Sequence, residues 1–162
     1  MRPRPAERAA WRQVVEDESA AAIRAAKFSS CVQTPTVIFL RGDLGAGKTT
    51  FARAYIHALG FAGYVKSPSY GLLETYEAGG QKILHLDLYR IEDPEELEYL
   101  AIRDLFDEES VLMVEWPDRG GHYLPAPDLV LHFDENDEVR FVVCQVNSER
   151  GQRLADKVSQ YA

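Results

Sequence analysis

The sequence predicts a single α/β domain with a mostly parallel central sheet, antiparallel hairpin additions and flanking helices. Two observations predict this fold. The apolar, β-branched run Thr36–Arg41 leads directly into a glycine-rich segment and then into apolar residues at helical spacing, an alternation that is typical of parallel sheets. Further along the chain, two pairs of apolar runs each flank turn residues, which indicates two β-hairpins.

Length and composition fit one globular domain. The chain has 162 residues, of which 46% are hydrophobic and 27% are charged, and domains of this size and composition are common. We assign residues 1–10 to a flexible N-terminal arm, because the first eight residues include two prolines and three arginines. Residues 11–162 form the predicted domain.

Charge and cysteine content exclude several classes of protein. The net charge is −8, which argues against a broad basic face for nucleic acid, because affinity for phosphates depends on Lys and Arg. Cys31 and Cys144 lack the spacing of a metal or redox motif, and the four histidines are likewise assigned no ligand role. The chain has neither an apolar run that could span a membrane nor an apolar signal core. We therefore expect a cytoplasmic protein without a membrane partner.

The individual elements follow from local signals. A helix is predicted from Asp17 or Ser19 toward Lys27, and another from about Lys48 to Gly60. The segments 70–76 and 82–87 form the first predicted hairpin, and 129–133 and 139–146 the second. A single helix is predicted from Asp93 to Leu105, a buried strand over 111–115, and a last helix after Ser148.

A phosphate-binding loop is the clearest motif in the chain. The segment from Gly42 to Thr49 reads GDLGAGKT and matches G-x-x-x-x-G-K-[ST] at every fixed position. Its glycines allow the backbone N–H groups to turn toward phosphate oxygens. The Lys48 ammonium can reach the β- and γ-phosphates, and the Thr49 hydroxyl can bind Mg²⁺. The position between a predicted strand and a predicted helix is the context that this P-loop motif requires.

Two acids stand at the carboxyl ends of predicted strands. Asp87 follows the run Ile83–Leu86, and Glu115 ends the run that begins at Val111. Ligands of open parallel sheets lie outside these strand ends. One acid would bind Mg²⁺ and the other would orient or deprotonate the attacking water, and the spacing alone leaves both assignments open.

Three further features each have a structural and a functional interpretation. The Lys66-Ser67-Pro68-Ser69 segment is either a simple turn or a switch that senses the γ-phosphate. Trp116, directly after Glu115, either packs in the core or is exposed for a partner. The acidic stretch 92–109 is either a solvated face or a docking surface for a basic partner.

With these residues identified, the chain resembles the TsaE (YjeE) family of small P-loop ATPases. The matching segments are GDLGAGKTTFAR, VKSPSYGLLETY, HLDLYRIEDPEELEYLAIRD and VEWPDRG, in this order. The resemblance implies a P-loop NTPase-like fold and an ATP-hydrolysing accessory subunit that works with a TsaB–TsaD pair. That complex makes N6-threonylcarbamoyladenosine in tRNA, next to the anticodon. The tRNA would be held only indirectly, through the partners.

The resemblance also implies roles for individual residues. Thr49 and Glu115 would lie at Mg²⁺, and Trp116 beside the site. Catalysis would depend on Lys48, Asp87 and Glu115. The residues implied in ATP binding are Glu18, Gly45, Ala46, Gly47, Lys48, Thr49, Thr50 and Asp87.

Three other classes of protein compete with this interpretation. A small-molecule kinase uses the same loop, but usually adds an arginine-bearing lid, whereas the arginines after the loop are scattered here. A regulatory GTPase needs an [NT]KxD segment to bind the base, and the sequence contains none. A nucleotide-binding module without turnover is disfavoured by the acids Asp87 and Glu115. The kinase remains the main alternative.

Overall fold

The computed structural model describes residues 9–15, 18–68, 71–135 and 139–160. The strands in these ranges are β1 (Ala9–Val15), β2 (Thr36–Arg41), β3 (Leu73–Ala78), β4 (Gln81–Asp87), β5 (Ser110–Glu115), β6 (Leu129–Glu135) and β7 (Arg140–Val146). The helices are α1 (Glu18–Cys31), α2 (Lys48–Ala58), α3 (Glu96–Tyr99), α4 (Ile102–Leu105) and α5 (Glu149–Gln160).

The strands form one sheet in the order β1-β7-β6-β2-β5-β4-β3. The four central strands β6, β2, β5 and β4 are parallel to one another. Antiparallel pairs extend the sheet on both sides, β3 on β4 at one edge and then β7 and β1 beyond β6 at the other. The predicted α/β fold is confirmed, as are its two hairpins.

Apolar residues cover both faces of the sheet. One cluster joins α1, α2 and α5 to the side chains on one face, with Phe28, Tyr55 and Met113 fully buried. The other cluster packs α3, α4 and the segment that follows β5 against the opposite face, around Leu84 and Leu112. The sheet is therefore the middle layer of three, and its parallel strands are buried on both sides.

The parallel register brings functional groups to one edge of the sheet. The loop after β2 leads into α2, and β4 and β5 end at the same level, with Asp87 paired to Glu115. The carboxyl ends of three parallel strands thus meet beside the N-terminus of α2.

The prediction of one continuous helix from Asp93 to Leu105 is wrong, because two short helices, α3 and α4, occupy this segment. The Asp93 carboxylate accepts a hydrogen bond from Glu95 N at 2.9 Å, but α3 begins only at Glu96, with Glu95 at its N-cap. Ala101 then takes a left-handed conformation with φ 51° and separates α3 from α4. Leu97 and Ile102 are both buried, but in a continuous helix residues five apart would point about 140° away from each other. The break at Ala101 lets both face the sheet.

Strand β1 was not predicted, and it begins at Ala9, inside the range assigned to the arm. It pairs antiparallel with β7, with an irregularity between Ala9 and Trp11. The Trp11 ring packs on Phe28 at a centroid distance of 5.7 Å, which anchors this edge strand on α1. Residues 1–8 of the predicted arm, Tyr70 of the first hairpin and Tyr161 of the last helix lie outside the described residues.

The last helix begins as predicted. The Ser148 hydroxyl accepts a hydrogen bond from Gly151 N at 2.9 Å, which is the contact of an N-cap. Among the helices in the described part of the chain, none has the length and apolar character needed to cross a membrane.

Candidate functional site

The glycine-rich loop, residues 42–47, connects β2 to α2. Gly45 and Gly47 adopt positive φ angles of 77° and 113°, which glycine reaches without the steric cost of a Cβ. At Gly42 a Cβ would lie 2.5 Å from the Phe133 carbonyl oxygen, so a side chain is excluded there as well. Within the described part of the chain, no side chain caps the N-terminus of α2. The N–H groups of its first turn and the loop backbone therefore form a concave surface suited to an anion.

Lys48 is almost completely buried at the start of α2. It is 4% exposed, and its Nζ atom donates a hydrogen bond to the Gly42 carbonyl oxygen. The same atom lies 3.7 Å from the centroid of the Trp116 ring. Burial lowers the pKa of the Lys48 ammonium, while the carboxylates of Glu115 and Asp87 act in the opposite direction.

Thr49 and Glu115 are in direct contact although they are far apart in the sequence. The Thr49 hydroxyl lies 2.8 Å from Glu115 Oε1 and 3.1 Å from Oε2. Glu115 is 2% exposed. Because an ionised carboxylate only accepts hydrogen bonds, the hydroxyl donates and keeps its lone pairs for another ligand.

Asp87 lies beside this pair at the end of β4. It is the register partner of Glu115 and is 5% exposed. Its Oδ1 atom accepts a hydrogen bond from Tyr89 N at 3.0 Å. Two nearly buried carboxylates thus stand side by side, next to the ammonium of Lys48.

Two cavities open on either side of the glycine-rich loop. The Lys48 cavity has a volume of about 170 Å³ and brings together Lys48, Thr49, Asp87, Tyr89, Glu115 and Trp116. The Phe133 cavity, of about 300 Å³, is lined by residues that include Ala21, Arg24, Phe51, Phe133, Arg140 and Val142. Gly45, Gly47 and Thr50 line both cavities, so the loop forms a continuous rim between them.

Trp116 fits neither of its two predicted interpretations completely. It is half-buried and has a left-handed φ of 56°, which turns the chain directly after Glu115. Its ring packs on Tyr89 at a centroid distance of 5.2 Å and covers Lys48. The indole therefore forms a wall of the Lys48 cavity.

The other predicted site residues do not contact the Lys48 cavity in the described structure. Ala46 lines the Phe133 cavity. Ser67 is exposed in the segment between α2 and β3 and does not line either cavity as described. Glu18 is the first residue of α1, which carries the cavity residues Ala21 and Arg24. Its side chain and the whole of Ser69 lie outside the described residues.

His85, which is fully buried beneath the acids, was not predicted as a site residue. Its Nε2 atom lies 2.7 Å from Glu115 Oε2, and it is 0% exposed. A signal was available, because His85 and Asp87 are two residues apart on one strand and therefore point to the same face. Arg24, Arg140 and Tyr89 were also missed, since only the folded chain brings them to the cavities.

Known proteins are similar to this chain in sequence. Residues 15–142 match the family model described as threonylcarbamoyl adenosine biosynthesis protein TsaE. The chain is 41% identical over 123 residues to the tRNA threonylcarbamoyladenosine biosynthesis protein TsaE of Haemophilus influenzae, a match covering 76% of this chain and 78% of that protein. The Bacillus subtilis protein of the same name is 32% identical over 153 residues, covering 93% of this chain and 94% of the relative.

A solved structure agrees with these sequence matches. The crystal structure of Bacillus subtilis YdiB superposes with a TM-score of 0.76 and 25% identity, and the match covers 93% of each chain. The family match extends from the end of β1 into β7 and so includes the glycine-rich loop and both acids. The chain therefore belongs to the TsaE family of threonylcarbamoyl adenosine biosynthesis proteins.

Proposed function

We propose that the chain is a Mg²⁺-dependent P-loop ATPase and an accessory subunit in the synthesis of N6-threonylcarbamoyladenosine in tRNA. The hydrogen bond between Thr49 and Glu115 carries this proposal. It joins the hydroxyl of the P-loop motif to a strand-end carboxylate, and phosphoryl-transfer sites need such a pair to hold Mg²⁺ beside a bound nucleotide.

The loop and Lys48 account for binding of the phosphates. Backbone N–H groups of the glycine-rich loop and of the first turn of α2 surround one or two phosphate groups, and the positive end of the helix dipole favours their charge. Lys48 adds a full positive charge in a nearly dry environment, where its effect on phosphate charge is larger than in water.

The nucleoside occupies the Phe133 cavity in this proposal. Its volume of about 300 Å³ is at the lower end of what small-molecule sites offer. The cavity joins the Lys48 cavity along Gly45, Gly47 and Thr50, as a ligand with a base at one end and phosphates at the other requires. Apolar walls such as Phe133 and Val142 suit the faces of a purine base.

The donor set fits Mg²⁺. Thr49 and Glu115 would hold the ion, and the described residues contain no cluster of three or more His, Cys, Asp or Glu side chains that could form a complete metal cage. Mg²⁺ usually binds through one or two carboxylates together with phosphate oxygens and water, so an incomplete protein site is expected. When bound, the ion would neutralise charge on the phosphate oxygens.

We assign the orientation of the attacking water to Asp87. Glu115 is assigned to the metal together with Thr49, and Asp87, its register partner on β4, also lines the Lys48 cavity. A carboxylate that accepts a proton from water, or fixes its direction, contributes about two to four orders of magnitude to a rate.

The charge distribution supports a partner that holds the tRNA. The net charge of −8 and the acidic segment 92–109 make it unfavourable for this chain alone to bind a polyanion. We therefore expect docking to a protein complex of the TsaB–TsaD kind in the cytoplasm, with Trp116 near the interface because it is half-buried beside the site.

Phosphate release from Mg²⁺-ATP tests this function. The purified chain is assayed alone, with the TsaB–TsaD pair, and with the pair and substrate tRNA. We expect phosphate release that increases when the partners are added. A small-molecule kinase would give product only with a small acceptor, and a chain without turnover in every mixture would contradict the proposal.

A further inference from the structure

His85 lies in the middle of the sheet, directly under the two acids. It is fully buried on β4 and pairs in register with Met113, while Asp87 pairs with Glu115. His85 is thus the diagonal neighbour of Glu115 across adjacent strands. A core position of this kind is normally apolar, and a polar ring there needs a hydrogen bond to offset its burial.

The hydrogen bond goes to Glu115. His85 Nε2 and Glu115 Oε2 are 2.7 Å apart, and their side chains are 0% and 3% exposed. As a carboxylate, Glu115 only accepts, so Nε2 carries the hydrogen and donates it. Among the described residues, Nδ1 of His85 has no hydrogen-bond partner. Nε2 is therefore the atom through which the His85 ring makes its hydrogen bond, the one to Glu115.

Two donors now hold one carboxylate. Thr49 donates toward Oε1 and Oε2 at 2.8 Å and 3.1 Å, and His85 donates to Oε2 at 2.7 Å. Thr49 belongs to α2 and His85 to β4, so the donors approach from separate elements. A carboxylate held by two donors cannot rotate freely about its terminal bond, and its remaining lone pairs keep a fixed direction.

We propose that His85 is a positioning residue, which fixes the Glu115 carboxylate in the orientation that the metal and Thr49 require. This inference rests on the proposed Mg²⁺-ATP site. His85 itself lies beneath the strand end and acts only through Glu115. If His85 were only structural, its substitution would affect folding stability alone. If it is a positioning residue, its substitution also weakens metal binding in a variant that folds normally.

Three substitutions separate these roles. His85→Gln retains an amide N–H near the position of Nε2, and His85→Asn has the same chemistry on a side chain that is one carbon shorter. His85→Met fills the volume without a donor. Each variant is first compared with the wild type by thermal unfolding and by ATP binding in EDTA, which reports nucleotide binding without metal.

The decisive readout is metal affinity. Mn²⁺ is titrated into the ATP-bound protein and followed by electron paramagnetic resonance. We expect the Asn and Met variants to bind Mn²⁺ about tenfold more weakly, the usual range for loss of such a supporting contact being about 10- to 100-fold. His85→Gln should recover most of the affinity. Binding of ATP in EDTA should stay within about twofold for every variant, because His85 does not touch the nucleotide.

Several results would overturn the inference. Equal Mn²⁺ affinity in the Asn and Gln variants would do so, even if His85→Met fails to fold. A wild-type protein in which ¹⁵N spectra place the His85 hydrogen on Nδ1 would also do so, without any substitution. Failure of the wild type to bind ATP in EDTA or with metal would instead reject the proposed function.

Discussion

The Nζ atom of Lys48 lies 3.7 Å from the centroid of the Trp116 ring, at the distance of a cation–π contact. The same atom donates to the Gly42 carbonyl oxygen. Both contacts restrain the ammonium that phosphate oxygens would contact in the proposed site. We expect a bound polyphosphate to draw Lys48 toward its oxygens and to change the contact between Lys48 and Trp116.

Trp116 fluorescence should report binding of phosphates. Trp11 is the only other tryptophan. It packs on Phe28 and does not line the Lys48 cavity, so Trp11→Phe isolates the signal. We expect tripolyphosphate and ATP to change the emission of this variant, because the charge above the indole moves. The matched control adds Lys48→Ala to Trp11→Phe and should show little change. Unchanged emission in Trp11→Phe while calorimetry detects binding would contradict a change in the contact between Lys48 and Trp116.

The two acids should differ in their dependence on metal. Glu115→Gln and Asp87→Asn should each lower ATP hydrolysis by about two orders of magnitude. Glu115→Gln should also raise the Mg²⁺ concentration that gives half-maximal activity, because Glu115 contacts the Thr49 hydroxyl. Asp87→Asn should leave that concentration nearly unchanged. A reversed pattern would exchange the roles that we assign to the acids.

Much of this site could be predicted from local sequence signals. The loop from Gly42 to Thr49 and the acids at strand ends need only their neighbours in sequence, and their elements form where the patterns indicate. Local signals place His85 on the same face of β4 as Asp87, but not its contact with Glu115, which is 30 residues away and belongs to another strand.

The errors in the predicted fold also arise from contacts with other elements of the structure. Strand β1 exists through pairing with β7 and packing of Trp11. Neither contact can be inferred from a short segment without a regular alternation of apolar and polar residues. The break at Ala101 depends on the need of both Leu97 and Ile102 to reach the sheet. Local helix propensity favours a continuous helix there, and burial against the sheet overrides it.

The acidic segment should contribute to docking through charge. Glu98→Lys is a suitable reversal because Glu98 is exposed on α3. Glu96 is kept, since its carboxylate accepts hydrogen bonds from Glu92 N and Asp93 N. We expect about threefold weaker binding to the TsaB–TsaD pair at low salt and a smaller difference at high salt. The matched control is Glu77→Lys, exposed on β3, and an equal loss there would reject a localised docking surface.

Stability at alkaline pH should depend on Cys144. Burial raises the pKa of this thiol to about 12. In the unfolded chain, the Cys144 thiol releases its proton at lower pH than in the folded chain. Its contribution to the free energy of unfolding is therefore fully present below the unfolded pKa and decreases as the pH rises toward the folded pKa. Between pH 8 and pH 10, the wild type should lose about 1.4 kcal/mol more unfolding free energy than Cys144→Ala. Denaturant titrations under reducing conditions measure this difference, and equal losses in the two proteins would refute it.

Lys48→Ala, assayed for both binding and hydrolysis of ATP, tests the central claim most directly. Removal of the ammonium leaves the phosphate charge without its buried cation, so calorimetry should detect much weaker ATP binding and phosphate release should fall to background. The control, Lys157→Ala, removes a lysine from α5 and should behave like the wild type. Near-normal ATP binding and turnover in Lys48→Ala would contradict the assignment of the glycine-rich loop as the ATP site.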